Sequence, residues 1–195
     1  MHFRILNKKE VIMQITVHGT PTELLGKDVK VGGEAPAARI TKLDGSKNVI
    51  GMIAPNAQLL IAIPSLKTEV CSLGAKKFNE LVGEYKKLSA IMITTDDLDF
   101  VKEFCEKESI DNAELVVDED RNFAKKYGLL ISEGKLKDRL ARAVFVVDRE
   151  GVLSYKEVVG EVVDEVDYDS CLAAVAEAAK IVKDGGHSHE EWMGV

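Results

Sequence analysis

The sequence predicts a single α/β domain in which helices flank a central mixed sheet. Three observations support this prediction: an apolar run followed by an amphipathic helical pattern, a second apolar run directly after that pattern, and a later pair of strands joined by a tight turn. With 195 residues, of which 46% are hydrophobic and 30% charged, the chain is long enough to bury one core. Its length does not require a second domain.

The centre of the predicted fold is a βαβ unit. Residues 59–63 form an apolar run typical of a buried parallel strand, and Pro64 ends it. Apolar residues at helical spacing then predict a helix over 68–88, and residues 90–94 supply the next parallel strand.

Shorter elements follow this unit. Asp96 and Asp97 are predicted to cap a helix whose apolar face runs over residues 98–105. A short strand at 115–117 and a brief helix that ends at Gly128 complete this region.

The last third of the chain predicts a hairpin and a closing helix. Residues 143–147 and 152–159 flank a turn at 148–151, which indicates an antiparallel hairpin at the sheet edge. A final helix is predicted over 168–183. A βαβ half followed by a β-hairpin and a helix is the thioredoxin-like arrangement, and residues 14–31 add an N-terminal β-hairpin.

We divide the chain into an irregular N-terminal extension at 1–13, the thioredoxin-like domain at 14–184 and a flexible C-terminal tail at 185–195. Residues 1–12 lack the apolar core and cleavage site of a signal peptide, and Met13 is an alternative start. The tail contains two histidines and two glutamates, which also suits a metal site, but the glycines before them favour a flexible terminus.

Charge and cysteine content narrow the function classes. A net charge of −7 and a pI near 5.2 argue against nucleic acid or an anionic membrane as the main partner. No stretch approaches the roughly 20 apolar residues of a membrane span. Cys71, Cys105 and Cys171 do not resemble the disulfide framework of a secreted protein, so a reducing, cytoplasmic location is expected.

The stretch around Cys71 carries the clearest chemical signal. The predicted helix places Cys71 in its first turn, where unpaired backbone N–H groups and the positive end of the helix dipole favour a thiolate. A strand, a short loop and a cysteine at a helix start therefore predict a redox or nucleophilic site.

The residues around this cysteine resemble a known signature. Pro64, Thr68 and Cys71 are spaced as Pro-x-x-x-Thr-x-x-Cys, which resembles the active-site motif of the peroxiredoxins. The longer run Pro-Ser-Leu-x-Thr-x-Val-Cys is similar to the bacterial thiol peroxidases, or atypical two-cysteine peroxiredoxins. Lys67 and Glu69 depart from that branch, which usually has aspartate and proline there, and they alter charge and stiffness beside the thiol.

The resemblance implies a role for each of four residues. Cys71 would be the peroxidatic thiolate, and the Thr68 hydroxyl would face the sulfur and the incoming peroxide. Arg142, in a Leu-Ala-Arg-Ala-Val context, would stabilise charge on the sulfur and the leaving oxygen, with Arg139 as the fallback. Cys105 would resolve the sulfenic acid as an intrachain disulfide with Cys71.

Partners and pocket follow from the same resemblance. Pro64, Ser65 and Val70 are expected to line the substrate pocket. The family implies hydrogen peroxide or an organic hydroperoxide as substrate, thioredoxin or a similar dithiol protein as reductant, and a homodimer. No metal, haem or flavin cofactor is required, because both electrons pass through sulfur. Joining Cys71 to Cys105 is expected to unwind part of both helices, since disulfides need Cα atoms within roughly 7 Å.

Each assignment has a simpler structural alternative. Cys71 fits a small buried hydrophobic residue of a core helix, and Cys105 fits a buried cysteine on an apolar helical face. Thr68 fits an ordinary helix cap, and Arg142 fits a solvated arginine at a strand start. Cys171, spaced with apolar neighbours in the last helix, is interpreted as core. At the level of function, one rival is a thioredoxin-fold redox sensor or chaperone-like regulator. A second rival, a disulfide oxidoreductase, is disfavoured because the sequence has no Cys-x-x-Cys pair.

Overall fold

The computed structural model describes residues 11–180, and side chains from Met13 onward. In chain order the strands are β1 (Val11–Val17), β2 (Thr20–Leu25), β3 (Ala38–Lys42), β4 (Lys47–Ile50), β5 (Ala57–Ile63), β6 (Leu88–Thr94), β7 (Glu114–Val117), β8 (Leu130–Ile131), β9 (Ala143–Val147) and β10 (Leu153–Val158). The helices are α1 (Glu69–Val82), α2 (Leu98–Glu108), α3 (Asn122–Lys126) and α4 (Tyr168–Lys180).

Seven strands form the central mixed sheet in the order β10-β9-β5-β6-β7-β3-β4. The β5-β6 and β6-β7 pairs are parallel, and the other pairs are antiparallel. The predicted βαβ unit is confirmed as β5-α1-β6, and the predicted hairpin is confirmed as β9-β10 at the sheet edge. This arrangement is the thioredoxin-like fold that the sequence predicted.

Strand β5 lies inside the sheet, and all seven of its residues are buried. Its side chains alternate between two cores, because neighbouring residues of a strand face opposite sides. Leu60 and Ala62 pack with α3 and the N-terminal strands, whereas Leu59, Ile61 and Ile63 pack with α1, α2 and α4. The carboxyl end of β5, from which the chain enters α1, is therefore held from both faces.

The N-terminal hairpin is formed by β1 and β2, and β8 adds a third strand that the sequence analysis did not predict. Strand β1 pairs as far as Val11 with Leu25, so it includes residues that we had assigned to the irregular extension at 1–13. The two-residue turn has φ of 50° at His18 and 78° at Gly19, which suits a tight hairpin turn. The rest of that extension and the tail at 185–195 lie outside the described residues.

Helix α1 is shorter than predicted. It ends at Val82, and Leu88 lies in β6, where it pairs with Ala57 of β5. The apolar pattern continued past the helix because Tyr85 and Leu88 pack against the same core as α1. No helix within residues 11–180 is long and apolar enough to span a bilayer.

The predicted caps of α2 also differ from the structure. Asp97 occupies the N-cap position with an extended backbone, but its side chain makes no capping hydrogen bond. Asp96 is buried and bonds to groups outside the helix. Asp96 therefore accepts hydrogen bonds from segments remote in sequence and does not cap α2.

Candidate active site

The loop between β5 and α1 places Cys71 in the first turn of α1, as predicted. Thr68 occupies the N-cap position with an extended backbone (φ −94°, ψ 144°), but its hydroxyl does not cap the helix. It donates instead to the carbonyl of Ser65, at 3.1 Å. The backbone N–H groups of this first turn therefore have no side-chain cap from Thr68. The positive end of the helix dipole lies beside Cys71 and is not offset by that hydroxyl.

A buried arginine contacts the Cys71 sulfur. Nη2 of Arg142 lies 3.2 Å from Sγ of Cys71, and the two residues are 8% and 3% exposed. Nε of the same guanidinium donates to the carbonyl of Val162 at 3.1 Å, which fixes the plane of the group. A cation held this close and shielded from water stabilises negative charge on the sulfur.

Helix α1 has a glycine, Gly74, at the point where it faces the Arg142 guanidinium. A Cβ on Gly74, three residues after Cys71, would lie 3.6 Å from Nη1 of Arg142 and 3.7 Å from the Tyr168 hydroxyl. Gly74 is itself buried. An alanine side chain here would therefore meet both groups at ordinary van der Waals distance.

A cavity of about 150 Å³ opens beside the sulfur. The predicted site residues Pro64, Ser65, Thr68, Val70, Cys71 and Arg142 all line it. Glu69 lines it too, and four further lining residues were not predicted from the sequence: His18, Leu136, Val162 and Val163. They come from the β1-β2 turn and from loops remote in sequence, and no motif marks them. Apart from the arginine and the sulfur, the walls are mostly apolar.

Cys105 is on α2 and, within the described part of the chain, does not line that cavity. Its thiol is partly buried and donates to the carbonyl of Ile110 at 3.3 Å. Burial raises the pKa of the Cys105 thiol, and the carboxylates of Glu106 and Asp111 raise it further. Cys71 and Cys105 are both free, so this is the reduced form.

A second cavity, of about 510 Å³, lies between the start of α1 and the outer face of α2. Thr68 and Glu69 line both cavities. Lys67, one of the two departures from the thiol peroxidase pattern, extends its side chain toward α2. Its ammonium is 3.5 Å from the Asp97 carboxylate and 5.0 Å from the centre of the Phe100 ring. Lys67 therefore contacts the N-terminal end of the helix that carries Cys105.

The remaining candidates are placed away from the sulfur. Arg139 does not bond to Cys71 and instead pairs with the buried carboxylate of Asp96 at 2.5 Å. Cys171 lies on the buried face of α4, in the core as predicted, and burial raises the pKa of its thiol to about 12. Among residues 11–180, no group of three or more histidine, cysteine or acidic side chains is arranged to hold a metal ion.

The fold and this site together define a thiol-based peroxidase: a cysteine at a helix start, bonded to a buried arginine, opens onto a small apolar cavity. The Redoxin family model matches residues 30–172. The chain belongs to the thiol peroxidase family, since it is 36% identical over 163 residues to the thiol peroxidase of Aquifex aeolicus, across 84% of this chain and 96% of that protein.

Other known proteins agree with this placement. The thiol peroxidase of Campylobacter jejuni is 38% identical over 154 residues, across 78% of this chain and 87% of that protein. The crystal structure of a peroxiredoxin-like protein from Aquifex aeolicus superposes with a TM-score of 0.82 at 35% sequence identity. That superposition covers 87% of this chain and 99% of that structure.

Proposed function

We propose that this protein reduces hydrogen peroxide and organic hydroperoxides with Cys71 as the peroxidatic thiolate and Cys105 as the resolving thiol. The observation that carries the proposal is the 3.2 Å contact between Arg142 and the Cys71 sulfur, inside a cavity that Thr68 also lines. Thioredoxin or a similar dithiol protein would then restore both thiols by exchange.

In the first step the Cys71 thiolate attacks one peroxide oxygen and the O–O bond breaks. The attacked oxygen stays on sulfur as a sulfenic acid, and the other leaves and takes a proton to become water or an alcohol. The Thr68 hydroxyl donates its hydrogen bond to the Ser65 carbonyl, so the hydroxyl oxygen can accept a hydrogen bond from the O–H of the substrate. Arg142 stabilises the charge that develops on the leaving oxygen.

In the second step the thiol of Cys105 condenses with the sulfenic acid, and a disulfide and water form. The two thiols lie on separate helices, so we expect the first turn of α1 and part of α2 to unwind. The structure favours release of α2, because the only buried residues of this helix are Val101 and Phe104. The Cys105 thiol itself loses a single hydrogen bond, to the carbonyl of Ile110.

The same proposal includes a homodimer working in the cytoplasm. The dimer is what the resemblance of the Cys71 segment to the thiol peroxidases implies. The cysteine content, three residues without the pattern of a disulfide framework, supports a reducing compartment.

The deciding experiment combines turnover with disulfide mapping. We expect sustained peroxide consumption with a thioredoxin system, and a Cys71–Cys105 peptide by mass spectrometry after one equivalent of hydrogen peroxide. Cys71→Ser should abolish both, whereas Cys171→Ser, the matched cysteine control, should change neither. A single oxidation without further turnover would contradict the enzyme and favour the redox sensor.

A further inference from the structure

A buried carboxylate lies beside the active-site loop but is not among the reacting groups. Asp96 follows β6 at the carboxyl end of the sheet, and its side chain is fully shielded from solvent. It accepts four hydrogen bonds, from the Ser65 hydroxyl (2.9 Å), the Leu66 N–H (2.7 Å), the Thr94 hydroxyl (3.1 Å) and Arg139 Nη1 (2.5 Å).

Two of these donors belong to the loop that carries the site. The carbonyl of Ser65 accepts both the N–H of Thr68, at 3.3 Å, and its hydroxyl, at 3.1 Å. The Thr68 carbonyl in turn accepts the N–H of Ser72 at 3.0 Å, within the first turn of α1. A continuous series of hydrogen bonds therefore joins Asp96 to Thr68 and to the turn that contains Cys71.

The charged donor to Asp96, Arg139, belongs to the other half of the site. Arg139 lies three residues before Arg142, in the segment that enters β9. The carbonyl of Arg139 accepts from the N–H of Ile131, which ties this segment to β8. One carboxylate thus connects the segment bearing Thr68 and Cys71 with the segment bearing Arg142.

We propose that Asp96 is a positioning residue for peroxide reduction, which holds these two segments so that Thr68 and Arg142 meet at the Cys71 sulfur. The inference rests on the proposed peroxide chemistry at Cys71. Hydrogen bonds to an ionised acceptor are short and strong, and a buried donor that loses its partner is costly. Without the carboxylate, the loop at Leu66 and the guanidinium of Arg139 lose their shared anchor.

Asp118 provides a matched control. It follows β7 as Asp96 follows β6, and it is equally buried. Its carboxylate accepts the N–H groups of Phe123 and Ala124, at 3.0 and 2.8 Å, and so anchors α3. Asp118→Asn therefore measures the general cost of removing a buried carboxylate at this end of the sheet.

The experiment uses the full chain with Cys105→Ser and Cys171→Ser, so that Cys71 is the remaining thiol. Oxidation by hydrogen peroxide and alkylation by iodoacetamide are timed at one pH, and thermal midpoints are recorded. Asp96→Asn should slow oxidation by about 30-fold or more and alkylation by less than about threefold, because misplacement by an ångström costs roughly 10²-fold. Asp118→Asn should lower the midpoint and leave both rates within about twofold of the parent protein.

Two results would overturn the role of Asp96: oxidation within about twofold of the parent protein, or an equal loss in both reactions. If Asp96→Asn does not fold, Arg139→Ala removes the link to the Arg142 segment and keeps both loop bonds. It should slow oxidation about fivefold more than alkylation, and an unchanged ratio would refute the inference. A parent protein that peroxide does not oxidise would instead refute the proposed function.

Discussion

Replacing Arg142 with methionine removes the cation at Cys71 while keeping a side chain of similar reach. Arg142 is 8% exposed and its guanidinium lies 3.2 Å from the sulfur, so solvent screens it little. Two unit charges at that separation interact by about 5 kcal/mol at an effective dielectric constant of about 20.

Only part of that energy lowers the barrier. The same cation stabilises the thiolate before reaction, and catalysis depends on the difference between the ground state and the transition state. Removing one preorganised donor from a developing anion costs about 2.7–4 kcal/mol, or about 10²–10³ in rate. We therefore expect Arg142→Met to slow sulfenic acid formation by about 100-fold or more.

Single-turnover mixing with hydrogen peroxide in a Cys105→Ser background, followed by trapping of the sulfenic acid with dimedone, measures this step alone. Arg142→Lys should be intermediate, because one ammonium does not reproduce the fork that bonds both Cys71 and the Val162 carbonyl. Arg39→Met, which removes an exposed arginine side chain, is the control and should leave the rate unchanged. A rate for Arg142→Met within about threefold of the natural protein would refute the assignment of Arg142.

Three further predictions follow from individual contacts. Cys105→Ser should stop after one oxidation of Cys71, seen as a single equivalent of peroxide consumed in the thioredoxin assay; continued turnover would remove Cys105 from the cycle. Gly74→Ala should raise stability by about 0.5–1 kcal/mol in urea titrations, because it favours the helix and meets its nearest neighbours at 3.6 Å or more; a loss of stability would contradict this. Hydrogen bonds from the Thr16 hydroxyl and the β1-β2 turn amides lower the pKa of Glu161 to about 2 from an ordinary 4.5. A carboxyl group with a depressed pKa stabilises the fold at pH values above its ordinary pKa, and this stabilisation is lost as the pH falls through the depressed value. The loss of unfolding free energy caused by Glu161→Gln at pH 7 should therefore shrink as the pH falls toward 2, and a loss that does not depend on pH would contradict this.

Local sequence was sufficient for the core of the site. Pro64, Thr68 and Cys71 lie within one strand, one loop and one helical turn, so strand termination and helical spacing set their relative positions. The β5-α1-β6 unit followed from the same periodicities. Local sequence was insufficient for the end of α1, since Leu88 packs against the core that α1 covers while belonging to β6.

The resemblance favoured Arg142 over Arg139, and the tertiary structure supplies the physical reason for the difference between them. Arg139 and Arg142 share one short segment, yet the first bonds to Asp96 and the second to Cys71. The fold likewise turned Asp96 from a predicted helix cap into a buried acceptor, and it brought His18 and Leu136 to the cavity. Periodicity determines neighbours a few positions apart, but contacts between remote segments depend on strand order and register. The sequence by itself therefore determined the fold class and the place of Cys71 at the start of α1, and the assembled sheet determined which side chains surround it.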